Sequence, residues 1–507
     1  MNIKHIEENH KKIVAILAVS SVLFSFIFLQ FTVDDSYITF RYAKNLIEHG
    51  VWNWNITGEK VEAYTNFLYA ILAIIPEATG INTPLFFKLL GASAILYLSI
   101  RLYGLIAENK ISYIMALTFL LFNPFVYIHA YSGLETPLFI ALIFELTILI
   151  SAESIIDIKH EKLLFIVLLM LPLTRPEGAI FSLLGFSLLV CKEKTIKSKC
   201  LFVGIVLVSI GYFVWRYQYF GYLFPNTFYV KSAHGFSIDK IIIYIFNNVH
   251  VLGSALFLLF LVKNKHFRIL LGAAIFLNIF LYGKSDLQMD YADRFPFQTL
   301  FPFFLAAFVL VNNRNTSIMV FIVVSFILGG IFSNKSEFVH LATYYPKAIQ
   351  SHAKLGVALS KFKNENLSLM IGDAGMVPYF SEWHTYDSIG LANVNVAHDG
   401  FSLEYMKKIQ PDLIIMYSTT PDKEGIRLDD YNQHYIYSYI TESQQYSFVG
   451  ASRWQDNYYM LAFLKNSAHR FEEIKQTIQD IDSETREFKV SKNDFLLQKY
   501  LIYPGTE

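Results

Sequence analysis

Cysteine is nearly absent. The chain of 507 residues carries two, Cys191 and Cys200, flanking the basic stretch KEKTIKSK. With no other partner available there is no disulfide framework, and a reduced compartment is the simplest setting for that loop. Net charge is absent as well: 42 Lys and Arg balance 42 Asp and Glu, which leaves no electrostatic case for a nucleic-acid partner. There is no Walker motif, no G-x-G-x-x-G before a helix and no Cys/His metal cluster, so a nucleotide-driven pump is not expected. IGDAG at 371–375 is too short for a phosphate-binding fingerprint and reads as a bare turn at a strand end.

Apolar surface is what the chain has in excess. Hydrophobic residues make up 54% and aromatics 16%, with a mean hydropathy of +0.38, where soluble domains sit at about 45–50% apolar. MNIKHIEENHKK precedes an apolar run of about 19 residues, Ile13 to Phe31. That run is longer than a signal-peptide core and no small-x-small cleavage site follows, so it reads as an uncleaved membrane helix entering from a basic cytoplasmic end.

The connections between later apolar runs fall into two sets. ENK (108–110), DIKHEK (157–162), KEKTIKSK (192–199), KNKHFR (263–268) and NNRN (312–315) are short and mostly basic. YSGLETP (131–137), TRPEG (174–178), YQYFGYLFPNTFYVKSAHG (217–235) and GKSDLQMDYADRFP (283–296) are rich in aromatics, prolines and mixed charge. The positive-inside rule places the first set in the cytoplasm and the second outside. This works only if one early run does not cross, and FLYAILAIIPEATG is the natural exception, being too short before Pro76 and Glu77 for a core of about 30 Å. The expectation is a mainly α protein: a membrane bundle of about 11 spans over residues 1–334, with a first outer loop at 32–66. Residues 335–507 are expected to form a soluble α/β domain outside, with strands in LSLMIGDAG (367–375), HTYDSIGL (384–391) and PDLIIMY (411–417).

Candidate site residues gather in the outer set. Asp34 and Asp35 open DDSYITFRYAKNLIEHG, which has Tyr37, Phe40, Ala43 and Ile47 at helical spacing and Gly50 as a stop. One carboxylate can cap that interfacial helix, with Ser36 able to share the duty, so the other is left without a structural task. Asp35 lies nearer the cap position, which favours Asp34 as the reactive group. The loop continues through Arg41 to Glu62, Tyr64 and Asn66. Arg175 and Glu177, with Glu135 and Glu145, are ionisable groups at or near membrane depth, where charge is costly and tends to mark function. Arg175 and Glu177 are two apart and would point away from each other on a helix, so each needs another partner. Asn226, Lys231, Asp286 and Arg294 lie where the chain re-enters the membrane; taken alone, a Lys or Arg there reads as a snorkelling anchor.

Taken in order, DDSYITFRYAKNL, GEKVEAYTNFL, YSGLETPLF, LTRPEG, YFGYLFPNTFYVK, GKSDLQMDYADRFPFQTLFP and IGDAGMVPYF with YDSIGL resemble the GT-C superfamily of lipid-phosphate-sugar glycosyltransferases. Within it the chain is most similar to the bacterial group containing the mycobacterial terminal β-(1→2) arabinofuranosyltransferase. The resemblance implies a multi-pass protein of a bacterial cytoplasmic membrane acting in surface-glycan synthesis. Its site would face outward beneath an extracytoplasmic domain. It implies a polyprenyl-phosphate sugar as donor, a glycan as acceptor, membrane lipid as surroundings, and an Asp of the first outer loop as general base. Arg175, Lys231 and Arg294 would hold the departing phosphate, with Glu62, Tyr64 and Asn66 shaping the cavity floor. The family's Gly-Gly-Asp loop is present only as GKSD, so Asp286 matches less well than Arg294. No cofactor is implied with certainty, a divalent metal is left open, and no metal ligands are assigned. A secondary transporter is the rival class, but the two similar halves that transporters show are not seen.

Overall fold

The computed structural model describes residues 3–152, 158–192, 196–232, 237–285, 290–311, 316–335, 340–342, 345–455 and 457–486. Asp286 lies outside them. Helix α1 (Ile3–Phe28) turns Ile16, Val19, Val22, Leu23 and Phe26 outward, a stripe of large side chains suited to lipid. The chain then makes a short buried turn into α2 (Ser36–His49). Its inner face carries Tyr37, Phe40 and Ala43 as the spacing predicts, while Ile47 is exposed. Gly50 stops the helix with φ +69°, its N–H bonding to the carbonyls of Asn45 and Leu46.

Helix α3 (Phe67–Thr79) has 13 residues and Pro76 inside it, a length of about 20 Å at 1.5 Å per residue. It is too short to cross a hydrocarbon core on its own. Then follow α4 (Thr83–Ile106), α5 (Lys110–Leu121), α6 (Pro124–Tyr131), α7 (Thr136–Ser151), α8 (Ile158–Thr174), α9 (Gly178–Lys192), α10 (Ile196–Phe220) and α11 (Asn226–Ser232). The bundle closes with α12 (Ile238–Asn247), α13 (Val249–Leu261), α14 (Lys265–Leu277), α15 (Arg294–Leu310) and α16 (Thr316–Ser333). Among the described residues three helices are long and apolar enough to cross a membrane, or up to 5 spans if each bent pair is one. Length therefore assigns fewer spans than hydropathy does, because α3, α7, α9 and α16 are apolar but short.

Helix α7 is buried on nearly every side and forms the centre of the bundle. Its one interior charge, Glu145, accepts hydrogen bonds from Arg101 at 2.5 and 3.0 Å and from Tyr97 at 2.8 Å, so it is a helix-to-helix tie. Lys88 of α4 is fully enclosed, and its ammonium donates to the carbonyls of Leu29, Phe31 and Tyr131 at 2.6, 2.7 and 3.3 Å. All three of its donors are used on the C-terminal ends of α1 and α6, which is how a buried lysine is tolerated there.

The C-terminal part contains a five-stranded mixed sheet of order β2-β1-β3-β5-β4. The strands are β1 (Ser368–Ile371), β2 (His384–Asp387), β3 (Leu413–Ser418), β4 (Tyr446–Gln455) and β5 (Tyr458–Lys465). Strand β1 runs parallel to β2 and β3, and β5 runs antiparallel to β3 and β4. Helices cover both faces. Leu413, Ile415 and Tyr417 pack with α17 (Tyr345–Ser360) and α22 (Phe471–Arg486), and Ile414 and Met416 with α20 (Leu403–Ile409) and α21 (Gln433–Ser443). Between β1 and α20 lie the short helices α18 (Met376–Ser381) and α19 (Val394–Asp399). The three expected strands are present; the β4–β5 hairpin was not anticipated.

This domain docks on α2. Tyr37 packs edge-on to Tyr379 at 5.2 Å, Lys44 pairs with Glu382 at 2.9 Å, and Asn55 exchanges hydrogen bonds with the backbone of Thr385. A topology reporter fused at Lys265 should read cytoplasmic and one after Glu507 should read outside. A cytoplasmic reading at Glu507 would make α3 a full span and overturn this arrangement.

Candidate active site

The two adjacent carboxylates at the end of α1 part company. Asp34 accepts hydrogen bonds from the backbone N–H groups of Gly375 and Met376 at 2.9 and 2.8 Å. It thus serves the first turn of α18, in the other domain. The approach is so close that a Cβ on Gly375 would lie 2.0 Å from the Asp34 carbonyl oxygen. Burial raises the Asp34 carboxyl to about 7, with Asp373 adding to the shift while His352 and the Met376 amide oppose it. Asp35 occupies the N-cap position of α2, yet it has helical dihedrals and makes no capping bond. Asp35 lines an open recess of about 70 Å³. Asp35 therefore sits at the cap position as expected but lines the recess, while Asp34 is tied to the amides of α18.

The floor of the recess is organised around Glu135, the residue before α7. It accepts hydrogen bonds from Asn66 at 2.8 Å, from Arg294 at 2.9 Å and from Arg175. Burial works against its ionisation, but Arg175 and Arg294 outweigh burial and hold its carboxyl at about 2. Arg175 also forks onto Glu177 at 2.8 and 3.2 Å, and Glu177 accepts from Tyr282 at 2.7 Å. The sequence reading kept Arg175 and Glu177 apart on helical geometry. They pair because α8 ends at Thr174 and α9 begins at Gly178, so the intervening turn is not helical.

Arg294 begins α15 directly after Ala292 and Asp293, which both have left-handed dihedrals, φ 51° and 50°. Such conformations cost about 1–3 kcal/mol in non-glycine residues and persist where surroundings over-determine them. Here Asn334 donates to Asp293 at 2.7 Å and His250 lies 3.1 Å from the same oxygen. Arg294 is 6% exposed, so it is no snorkelling anchor. Lys231 also lines the recess, its ammonium 6.0 Å from the Phe295 ring centre. Burial draws its ammonium down while Asp35 opposes this. Asp35 is pushed up by burial and pulled back by Lys231 and Arg294. Among the described residues neither Asp35 nor Lys231 has a side-chain hydrogen bond.

Other expected site residues stand further back. Tyr64 lines the recess and its hydroxyl accepts from Trp52 at 3.0 Å. Arg41 stacks on Trp54 at 4.6 Å and donates to the Trp383 carbonyl at 2.8 Å, so it ties the domains together. Glu62 pairs with Arg216 at 2.6 Å, its carboxyl raised to about 7 by burial against the pull of Arg216. Asn226 donates to the carbonyls of Gly390 and Leu391 at 2.5 and 3.2 Å, and Leu391 lines the recess from above. Arg216 was missed, although a lone Arg in the apolar run FVWRYQYF carries the same signal as Arg175. Of the carboxylates reaching the recess, Glu135 is already engaged by two guanidiniums. No group of three His, Cys or acidic ligands forms there among the described residues.

No curated protein matches the chain. Residues 342–463 match a family described as a domain of unknown function, DUF8728. Two crystal structures of ArnT from Cupriavidus metallidurans share the overall fold. The apo form aligns with a TM-score of 0.51 at 11% identity, and the form bound to undecaprenyl phosphate with 0.54 at 10%. Each alignment covers 89% of this chain and 97% of the other. The chain shares the fold of ArnT; the closer resemblance to the arabinofuranosyltransferase group gains no support from these matches.

Proposed function

We propose that this protein is an integral membrane glycosyltransferase that moves a sugar from a polyprenyl-phosphate donor to a glycan acceptor, with Asp35 as general base. The observation that carries the reading is the pair Asp35 and Lys231, left without hydrogen-bond partners in a recess whose other charges are neutralised. Glu135 and Glu177 balance Arg175 and Arg294. One cation therefore remains opposite one carboxylate, which suits a donor bringing a single negative charge. The ArnT structure bound to undecaprenyl phosphate supports a lipid-linked donor on this fold. The acceptor hydroxyl gives its proton to Asp35 as its oxygen bonds to the anomeric carbon. The bond from that carbon to the phosphate oxygen breaks, and the electron pair leaves with the phosphate. Lys231 and Arg294 face the charge that develops on the leaving group. The setting is a bacterial cytoplasmic membrane, with residues 335–507 extracytoplasmic and residues 1–334 forming the membrane unit.

The two aspartates should separate on mutation. Asp35→Asn keeps the start of α2 and removes the base, so turnover of a polyprenyl-phosphate sugar should fall about 10²–10⁴-fold with an unchanged melting temperature. Asp34→Asn sets an amide NH₂ against one of the Gly375 and Met376 N–H groups. It should lower the melting temperature while turnover changes by no more than about tenfold, the equivalent of ~1.4 kcal/mol. Wild-type turnover in Asp35→Asn would defeat the catalytic reading.

The pH profile gives a second check. The base must be ionised to act, and burial raises the Asp35 pKa. The rate should therefore climb with pH through a limb lying above the usual carboxylate value of about 3.9. Lys231→Met removes a cation that holds this pKa down, so the limb should move to higher pH. A limb unmoved in Lys231→Met would show that the two groups are not coupled.

A further inference from the structure

One neutral group in the recess has no assigned task. Thr227 lines it and is 8% exposed, and among the described residues its hydroxyl has no hydrogen-bond partner. A buried hydroxyl left unpaired costs about 1–3 kcal/mol, so its presence asks for a ligand. The other buried hydroxyls of the recess are engaged: Thr39 donates to Asn66 at 3.0 Å and Tyr64 accepts from Trp52. Thr227 precedes Lys231 by four residues on α11, so both project from one helical face, and both line the recess. The orientation of α11 is fixed from two sides, by the Asn226 N–H on the Glu62 carbonyl at 2.9 Å and by the Asn226 amide on Gly390 and Leu391.

Resting on the glycosyltransferase reading above, we propose that the Thr227 hydroxyl and the Lys231 ammonium form one cradle for the donor's phosphate, with Thr227 donating a hydrogen bond to a phosphate oxygen. A hydroxyl and an ammonium one turn apart offer donors and one positive charge, which fits an oxyanion better than a sugar hydroxyl. The acceptor hydroxyl is the concern of Asp35, the acceptor group on the opposite side of the pair. Thr227 is a substrate-holding residue: its value lies in reading phosphate ester against the free alcohol.

The test uses purified full-length protein, with undecaprenyl phosphate and undecaprenol as probes, and variants Thr227→Val and Thr227→Ser. Wild type should bind undecaprenyl phosphate and be thermally stabilised by it, and respond far less to undecaprenol. Thr227→Val removes the hydroxyl at nearly constant volume. Its melting temperature without lipid should match or exceed wild type, while its affinity for undecaprenyl phosphate should fall about 10–100-fold, as for a hydrogen bond to a charged group. Thr227→Ser should restore most of that affinity. Wild-type affinity in Thr227→Val would overturn the proposal, and so would failure of that variant to fold, since a hydroxyl without a partner is not needed for folding. If wild type itself does not bind undecaprenyl phosphate, the glycosyltransferase reading falls with it. If wild type binds and Thr227→Val binds equally, only the role of Thr227 falls.

Discussion

The carboxylate of Glu135 is the point on which the rest of the site hangs. Groups from the loop before α3, from the turn between α8 and α9 and from the start of α15 all end on it, through Asn66, Arg175 and Arg294. A buried charge of this kind is stable only while its partners stay, and removing one partner from such a pair typically costs about 3–5 kcal/mol. Glu135 therefore fixes where four segments meet, more than it adds to net stability. Because its charge is used internally, it also decides which groups remain for a ligand. Among the described residues Asp35 and Lys231 keep their side-chain hydrogen-bonding capacity, while Glu135 has taken the guanidiniums beside them.

A second constraint comes from the C-terminal sheet domain. Asp34 and Asp35 are neighbours in sequence, but one reaches the amides of α18 and the other reaches the recess. The placement of Asp35 is thus tied to the docking of a domain more than 300 residues along the chain. The short turn IGDAG does help bind an anion, in the sense that the N–H of its last residue, Gly375, and that of Met376 after it hold a carboxylate of the same chain. Arg41, Lys44, Asn55 and Asn226 make the same joint at other points. Asp35, the proposed base, is set in place by an interface, and the α2 helix alone would not aim it.

Much of this was legible in the sequence and some was not, for reasons that differ by residue. The helical bundle, the short α3, the sheet domain and the loops that build the site follow from hydropathy, loop charge and strand-length apolar runs. The order of the aspartate pair was hidden because capping was judged from α2 alone, whereas the partner of Asp34 is 341 residues away. Arg175 and Glu177 were judged on helical spacing, and the chain is not helical there. Arg41, Glu62 and Asn226 carry the signal of site residues, polar groups in an outer loop, but are used for docking and for a buried pair with Arg216. The β4–β5 hairpin had a readable sign, two aromatic-rich runs either side of QDN, yet it lies in the stretch least like the membrane motifs. Thr227 has no sequence signal at all, since only the fold reveals that its hydroxyl is left without a partner.

Preorganisation has a visible cost at the start of α15. Two consecutive residues without the freedom of glycine hold left-handed dihedrals, and Asn334 and His250 brace the second of them. A relaxed turn would carry Arg294 away from Glu135. Losing that contact would leave Glu135 with one guanidinium and would release the second from the recess wall. The strain is thus offset by the ion pair it makes possible, and the ion pair keeps a cation facing the recess. In the proposed reaction such a charge is most effective when fixed beforehand, because nothing then has to reorganise as the bond to phosphate breaks. The same reasoning accounts for the joint above it: a recess whose walls come from both the bundle and the C-terminal domain keeps its cations in position only while the two remain docked.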